Sequence, residues 1–172
     1  MRLLLLVLSV VFFSCSNTIY VVRHAEKATG IDPATMKPLT DPPLTLEGEE
    51  RALLLKQILG SKNIKHIYST NTLRTISTAK PLKELYIGLP VITYSSKPDS
   101  LNAFIQQIKN IRKGDVLIVG HSNTVDDIAN KIAGKTVVPG DLKDNEYDNL
   151  FILKRKGSTY NFKKEQYGVP PK

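Results

Sequence analysis

The chain has one cysteine in 172 residues, no internal repeat, no low-complexity tract, and no apolar run long enough to cross a bilayer as a helix. The lone Cys15 excludes an intramolecular disulfide and any metal site built on several cysteines. No aromatic-interleaved basic tract and no nucleic-acid motif accompany the formal charge of +8, and the lysines are scattered. The positive surplus therefore points to anionic substrates or surfaces, not to nucleic acid. At 41% hydrophobic and 23% charged residues, disordered and fibrous classes are excluded, and the length fits one domain.

The first residues differ from the rest. Arg2 precedes Leu3 to Phe13, a run in which only Ser9 is not strongly apolar, and Ser14 and Cys15 follow. That run has the length of a signal-peptide core, so residues 1–14 read as a leader. Phe12-Phe13-Ser14-Cys15 resembles the lipobox of bacterial lipoproteins, which implies a lipidated Cys15, an exported chain and membrane attachment. Residues 15–18 then serve as a short linker. From Cys15 to Ile19 the backbone reaches only about 14 Å at roughly 3.5 Å per residue, which would hold the domain of residues 19–172 near the headgroups.

Ile19-Tyr20-Val21-Val22 is a short β-branched run that stops at Arg23-His24-Ala25-Glu26-Lys27, as expected of a buried parallel strand delivering polar groups to a sheet rim. Residues 28–44, with Pro33, Pro38, Pro42 and Pro43, read as a long loop. Thr45 is placed to cap a helix to about Leu59, ended by Gly60. His66-Ile67-Tyr68 marks a strand, and one of Ser69, Thr70, Asn71 or Thr72 caps the helix after it, which Pro81 interrupts. Residues 90–94 read as a strand and Ser100 as the cap of an amphipathic helix. Asp115 to Val119 is the strongest central strand, running into Gly120-His121-Ser122-Asn123-Thr124 and a further helix. Residues 139–148 form a polar loop, and a hairpin around Lys156-Gly157 ends the chain.

Strand and helix alternate, so the fold expected is α/β: a three-layer α/β/α sandwich with a mostly parallel central sheet and a C-terminal hairpin at its edge. Three strand ends then bring Arg23-His24, Ser69 to Arg74, and His121 to one rim, where open α/β folds bind ligands. Two histidines and two arginines without cysteine or carboxylate partners make a poor metal site and a good receptor for a phosphate dianion. A neutral imidazole there can attack phosphorus while the arginines stabilise the oxygens. His66, in mid-strand, reads as structural, and Lys27 as either a substrate contact or a solvated rim lysine.

Two motifs are decoys. Residues 129–136 fit a relaxed phosphate-loop pattern but lie at the end of a helix rather than after a strand. Asp141, Asp144, Glu146 and Asp148 cluster without calcium-loop spacing, so they read as a solvated loop that could border the pocket.

Arg23-His24-Ala25-Glu26 resembles the Arg-His-Gly-Glu signature of the histidine phosphatase superfamily, which includes the phosphoglycerate mutases. Leu44 to Gly48, Tyr68 to Thr75 with Thr78-Ala79, and Gly120-His121-Ser122 are similar to the family's next three landmarks, in order. The resemblance implies a phosphatase acting on phosphate monoesters through a covalent phosphohistidine on His24. Arg23, Arg74 and His121 would bind the phosphoryl group, with Ser69, Ser122 and Asn123 as further phosphate contacts and with no metal or cofactor. It also implies a general acid. Ser122 stands where one branch has an aspartate after the second histidine, and before the fourth strand only Glu84 and Asp99 are offered, so Glu26 and Asp99 rank as equal candidates. The partners implied are a small phosphorylated substrate or an envelope phosphate. The alternatives are a lipid-anchored phospho-ligand binding module with little turnover and a phosphomutase, for which the short chain leaves little room to enclose a bisphosphate.

Overall fold

The computed structural model describes residues 17–170. The leader, Cys15 and its lipidation lie outside the described residues. Strand β1 (Thr18–Arg23) is followed by the two-residue strands β2 (Ile31–Asp32) and β3 (Lys37–Pro38), helix α1 (Leu46–Leu59), β4 (Ile64–Ser69), α2 (Leu73–Lys83) and β5 (Val91–Thr93). Helix α3 (Pro98–Asn110), β6 (Asp115–Gly120), α4 (Val125–Ala133), β7 (Asn149–Lys156) and β8 (Thr159–Gln166) complete it.

Six strands form one sheet in the order β5-β4-β6-β1-β7-β8. The first four are mutually parallel, and the β7–β8 hairpin adds two antiparallel strands at one edge. Successive strand residues feed opposite layers. Ile19, Val21, Val116 and Ile118 pack against α3 and α4, while Tyr20, Val22, Leu117 and Val119 pack against α1 and α2. Each fully buried aliphatic chain contributes about 1.5–3 kcal/mol, so these two interleaved sets fix the register as well as the stability. Arg23 pairs with Gly120 and Ser69 with Val119, which brings the ends of β1, β6 and β4 level at one rim.

Four local expectations differ. The proline-rich stretch contains the small β2–β3 hairpin, tightened by Asp32, whose carboxylate accepts from the Ala34 N–H at 2.9 Å and the Thr35 hydroxyl at 3.0 Å. Helix α3 begins at Pro98, two residues before Ser100, because proline at the first helical position needs no N–H acceptor. Pro81 does not interrupt α2: it lies in the last turn, where little helix remains to disrupt. None of Ser69 to Thr72 caps α2 with its side chain. The carboxylate of Asp41, from the loop, accepts the Leu73 N–H instead. Thr45 does cap α1, its hydroxyl accepting from the Gly48 N–H at 3.1 Å.

Candidate functional site

His24 follows the last residue of β1 and is only 3% exposed. Its backbone N–H donates to the Gly120 carbonyl at 2.9 Å, and that of Ala25 donates to the Thr78 hydroxyl at 2.9 Å, so β6 and α2 together fix the strand end. The ring nitrogen Nδ1 lies 2.7 Å from the Ala25 carbonyl. A carbonyl only accepts, so Nδ1 carries the proton and Nε2 keeps the lone pair. Burial is the main reason the His24 pKa falls to about 3, and the charges of Arg23 and Arg74 push the same way against the Ala25 hydrogen bond. The imidazole is therefore neutral and nucleophilic throughout the physiological range.

Gly48 and Gly120 make this packing possible. A Cβ on Gly48 would run into the backbone carbonyl of Glu26, so glycine lets the first turn of α1 press against the segment after His24. A Cβ on Gly120 would come within 2.9 Å of the Tyr94 hydroxyl and 3.1 Å of Thr124 Oγ1. Both glycines sit in sequence landmarks, and both are explained by close approach.

The two arginines are held in the same manner. Arg23 Nη1 donates to the carbonyls of Lys143, Asp144 and Glu146 at 2.8, 3.0 and 3.2 Å, and its guanidinium lies 4.1 Å from the ring centroid of Tyr147. Arg74 Nη1 donates to Asp41 at 3.1 Å. In both, Nε is buried and has no hydrogen-bond partner among the described residues. An unmet buried donor is costly, and two of them on the side-on edge of paired guanidiniums call for an anionic acceptor.

His121 continues the cluster. Its ring meets that of His24 edge-on at 5.4 Å, and its Nδ1 faces Arg74 Nη2 at 3.5 Å. Arginine can only donate, so the His121 proton sits on Nε2, which donates to Thr70 Oγ1 at 2.8 Å. Thr70 is tied in turn to Thr75 at 3.0 Å. Burial, then the charges of Arg74 and Arg23, lower the His121 pKa to about 4.

Arg23, His24, Arg74, His121, Ser122 and Asn123 all line one cavity of about 1030 Å³. Lys27, Lys97 and Lys131 line it too, together with Asp127 and Asp144. The structure does not bring every residue expected at the site into it. Ser69 is fully buried, its hydroxyl donating to the Thr70 carbonyl at 2.9 Å. Asp99 is exposed in the first turn of α3 and is not among the lining residues. Glu84 pairs with Lys80 on the outer surface of α2 at 3.3 Å. Glu26 turns the other way, both oxygens receiving hydrogen bonds from Arg51 at 2.6–2.9 Å. It lines a separate cavity of about 1090 Å³ beside Leu53, Leu54 and Val169. Tyr147 lines both cavities. His66 lies away from the site, its Nε2 3.2 Å from the Lys113 carbonyl.

Sequence reasoning missed Tyr147, Thr70, Asp41 and Asp127 as parts of this neighbourhood. Only Thr70 and Asp127 carried a signal: Thr70 belongs to the third landmark, and Asp127 lies in the first turn of the helix that follows His121.

Residues 19–96 match the model of a family described as the histidine phosphatase superfamily (branch 1). Among curated proteins none matches the chain. Solved structures share the fold. One assigned to the phosphohistidine phosphatase SixA of Agrobacterium tumefaciens superposes with a TM-score of 0.62 at 15% identity, covering 90% of this chain and 99% of its own. A mycobacterial glucosyl-3-phosphoglycerate phosphatase gives 0.61 at 13% identity, covering 88% of this chain and 98% of its own. A phosphoglycerate mutase from Plasmodium falciparum gives 0.56 at 14%, covering 91% and 93%. At such identities the likeness is one of fold, and the family model covers residues 19–96, which hold Arg23, His24 and Arg74 but not His121. Over residues 19–96 the chain is similar to the histidine phosphatase superfamily, and it shares its fold with these phosphatases and the mutase.

Proposed function

We propose that this protein hydrolyses phosphate monoesters through a covalent phosphohistidine on His24. The observation that carries the reading is the pair of buried, unpartnered Nε–H donors on Arg23 and Arg74 beside a histidine whose only free nitrogen is Nε2. His24 Nε2 attacks phosphorus, the bond from phosphorus to the ester oxygen breaks, and that oxygen leaves with a proton. Water then attacks phosphorus, the P–N bond breaks, and the water proton passes to a base. Arg23 and Arg74 hold the phosphoryl oxygens through both steps, with His121, Ser122 and Asn123 lining the same cavity.

The proton for the leaving oxygen comes from a carboxylate on the cavity wall, which makes Asp127 or Asp144 the acid in place of Glu26 or Asp99. Lys27, Lys97 and Lys131 suit a small substrate of high negative charge. Attachment to a membrane through a lipidated Cys15 belongs to the same proposal. Labelled fatty acid incorporated into the natural chain and absent from Cys15→Ser supports it, and label retained in that variant refutes it.

Rapid acid quench with a ³²P-labelled phosphodonor tests the nucleophile. Acid-labile label should appear in the natural chain and vanish in His24→Ala. Label that survives in His24→Ala rejects the assignment. Phosphate bound with no label and no turnover would make the chain a binding module, and label passed to a second substrate rather than to water would make it a mutase.

A further inference from the structure

We infer that Asp41 is a positioning residue for Arg74, holding the guanidinium so that its side-on edge faces the phosphoryl group. This rests on the phosphatase reading above. Asp41 lies in the proline-rich connection between β3 and α1, far in sequence from the residues it serves. Its two oxygens accept the Leu73 N–H at 3.0 and 2.8 Å, and Oδ1 also accepts from Arg74 Nη1 at 3.1 Å. One carboxylate thus caps α2 and fixes the arginine in that helix's first turn.

The division of labour on the guanidinium is specific. Nη1 is committed to Asp41, Nη2 faces His121, and Nε–H is buried without a partner. The Nε–Nη2 edge is the one that matches two phosphate oxygens side by side. Asp41 grips the opposite corner, so it does not compete for that edge. The first backbone donor of α2 is also already met by Asp41, while Thr72, in the cap position, has its hydroxyl 2.8 Å from that of Thr75. The free anion-binding capacity here therefore lies in the arginine side chain more than in the helix terminus.

Asp41 is about half exposed (47%), and an ion pair in such a setting adds little to stability. Its effect is to orient. Arg23 has no equivalent carboxylate and is steadied by three backbone carbonyls. Arg74 approaches from a helix surface with none, and a long side chain left free would have to be ordered by each incoming ligand.

Asp41→Asn keeps an oxygen for the Leu73 N–H and removes the charge from Arg74, whereas Asp41→Ala removes both. Inorganic phosphate affinity by calorimetry, kcat and KM with an aryl phosphate, and Tm are measured for both variants and for each combined with Arg74→Ala. In Asp41→Asn, phosphate affinity should fall and KM rise by about tenfold, the scale of one charge-assisted hydrogen bond, with kcat and Tm little changed. Asp41→Ala should show the same loss together with a lower Tm, and neither should weaken binding further once Arg74 is gone. Unchanged or tighter phosphate binding in Asp41→Asn overturns the inference, as does an equal loss in the Arg74→Ala background. Phosphate affinity is read without turnover, so a chain that hydrolyses nothing still decides the role of Asp41.

Discussion

The Nδ1 proton of His24 is donated to the carbonyl of Ala25, its own neighbour, at 2.7 Å, and this one bond leaves the lone pair on Nε2. The carbonyl orients the ring without adding a charge, and burial between two guanidiniums keeps it unprotonated. A histidine left at its ordinary pKa would be partly protonated below neutrality and unreactive in that fraction.

The same burial predicts how stability varies with pH. The folded pKa of His24, about 3, and of His121, about 4, lie below the unfolded value near 6.5. As pH falls below about 6.5 the unfolded chain takes up these protons first, so each such histidine costs the fold about 1.4 kcal/mol per pH unit until its folded pKa is reached. Urea denaturation should give a lower unfolding free energy at pH 5 than at pH 8. His24→Asn should flatten part of that slope. Equal stabilities at the two pH values would contradict the burial described for these rings.

Arg74→Lys separates charge from geometry. Lysine keeps the positive charge and cannot present two parallel N–H groups, so phosphate should bind about 10–100-fold more weakly, the range of one or two hydrogen bonds to a charged group. The same change at Arg23 should cost more, because it also removes the bonds to the carbonyls of residues 143, 144 and 146 and the contact with Tyr147. Isothermal titration with phosphate or vanadate checks both. An Arg74→Lys protein of undiminished affinity would show that charge alone is sufficient there.

Much of this was legible from residues at strand ends. The abrupt stop of β1 at Arg23-His24, the glycines of the second and fourth landmarks, and alternating strand and helix patterns lead to the observed sheet and cage. What could not be read is what sequence distance hides. Asp41 caps a helix that starts 32 residues later, and Tyr147 reaches Arg23 from a loop with no periodicity. Glu26 stands next but one to His24, yet it turns to Arg51, because Arg51 also needs to bind the carbonyls of Tyr167 and Val169 and sits only 6% exposed. Adjacency in sequence says nothing about the face on which a residue after a strand emerges.

Gly48→Ala sets helix propensity against packing. Alanine is favoured over glycine inside a helix by about 1 kcal/mol, so at an open position the change would stabilise α1. Here the new methyl meets the Glu26 carbonyl, and the turn must shift away from the segment after His24. Overpacking of this kind typically costs about 1–3 kcal/mol, which outweighs the propensity gain. A lower Tm with a weakened phosphate site is expected, and a raised Tm would mean that α1 can move without disturbing β1.

The carboxylates can be told apart by leaving group. A general acid matters when the departing oxygen is basic, and it matters little when the leaving group is a stable anion such as nitrophenolate. Loss of the acid should therefore steepen the dependence of kcat/KM on leaving-group pKa, sparing nitrophenyl phosphate and suppressing alkyl phosphates. Asp127→Asn and Asp144→Asn are the variants to compare, since both side chains border the cavity that holds His24. Glu26→Gln should behave differently: it breaks a mostly buried pair with Arg51 and lowers Tm while leaving the leaving-group slope as it was. A steepened slope in Glu26→Gln alone would return the role to Glu26, and would require its carboxylate to swing from Arg51 into the cavity that holds His24 during turnover.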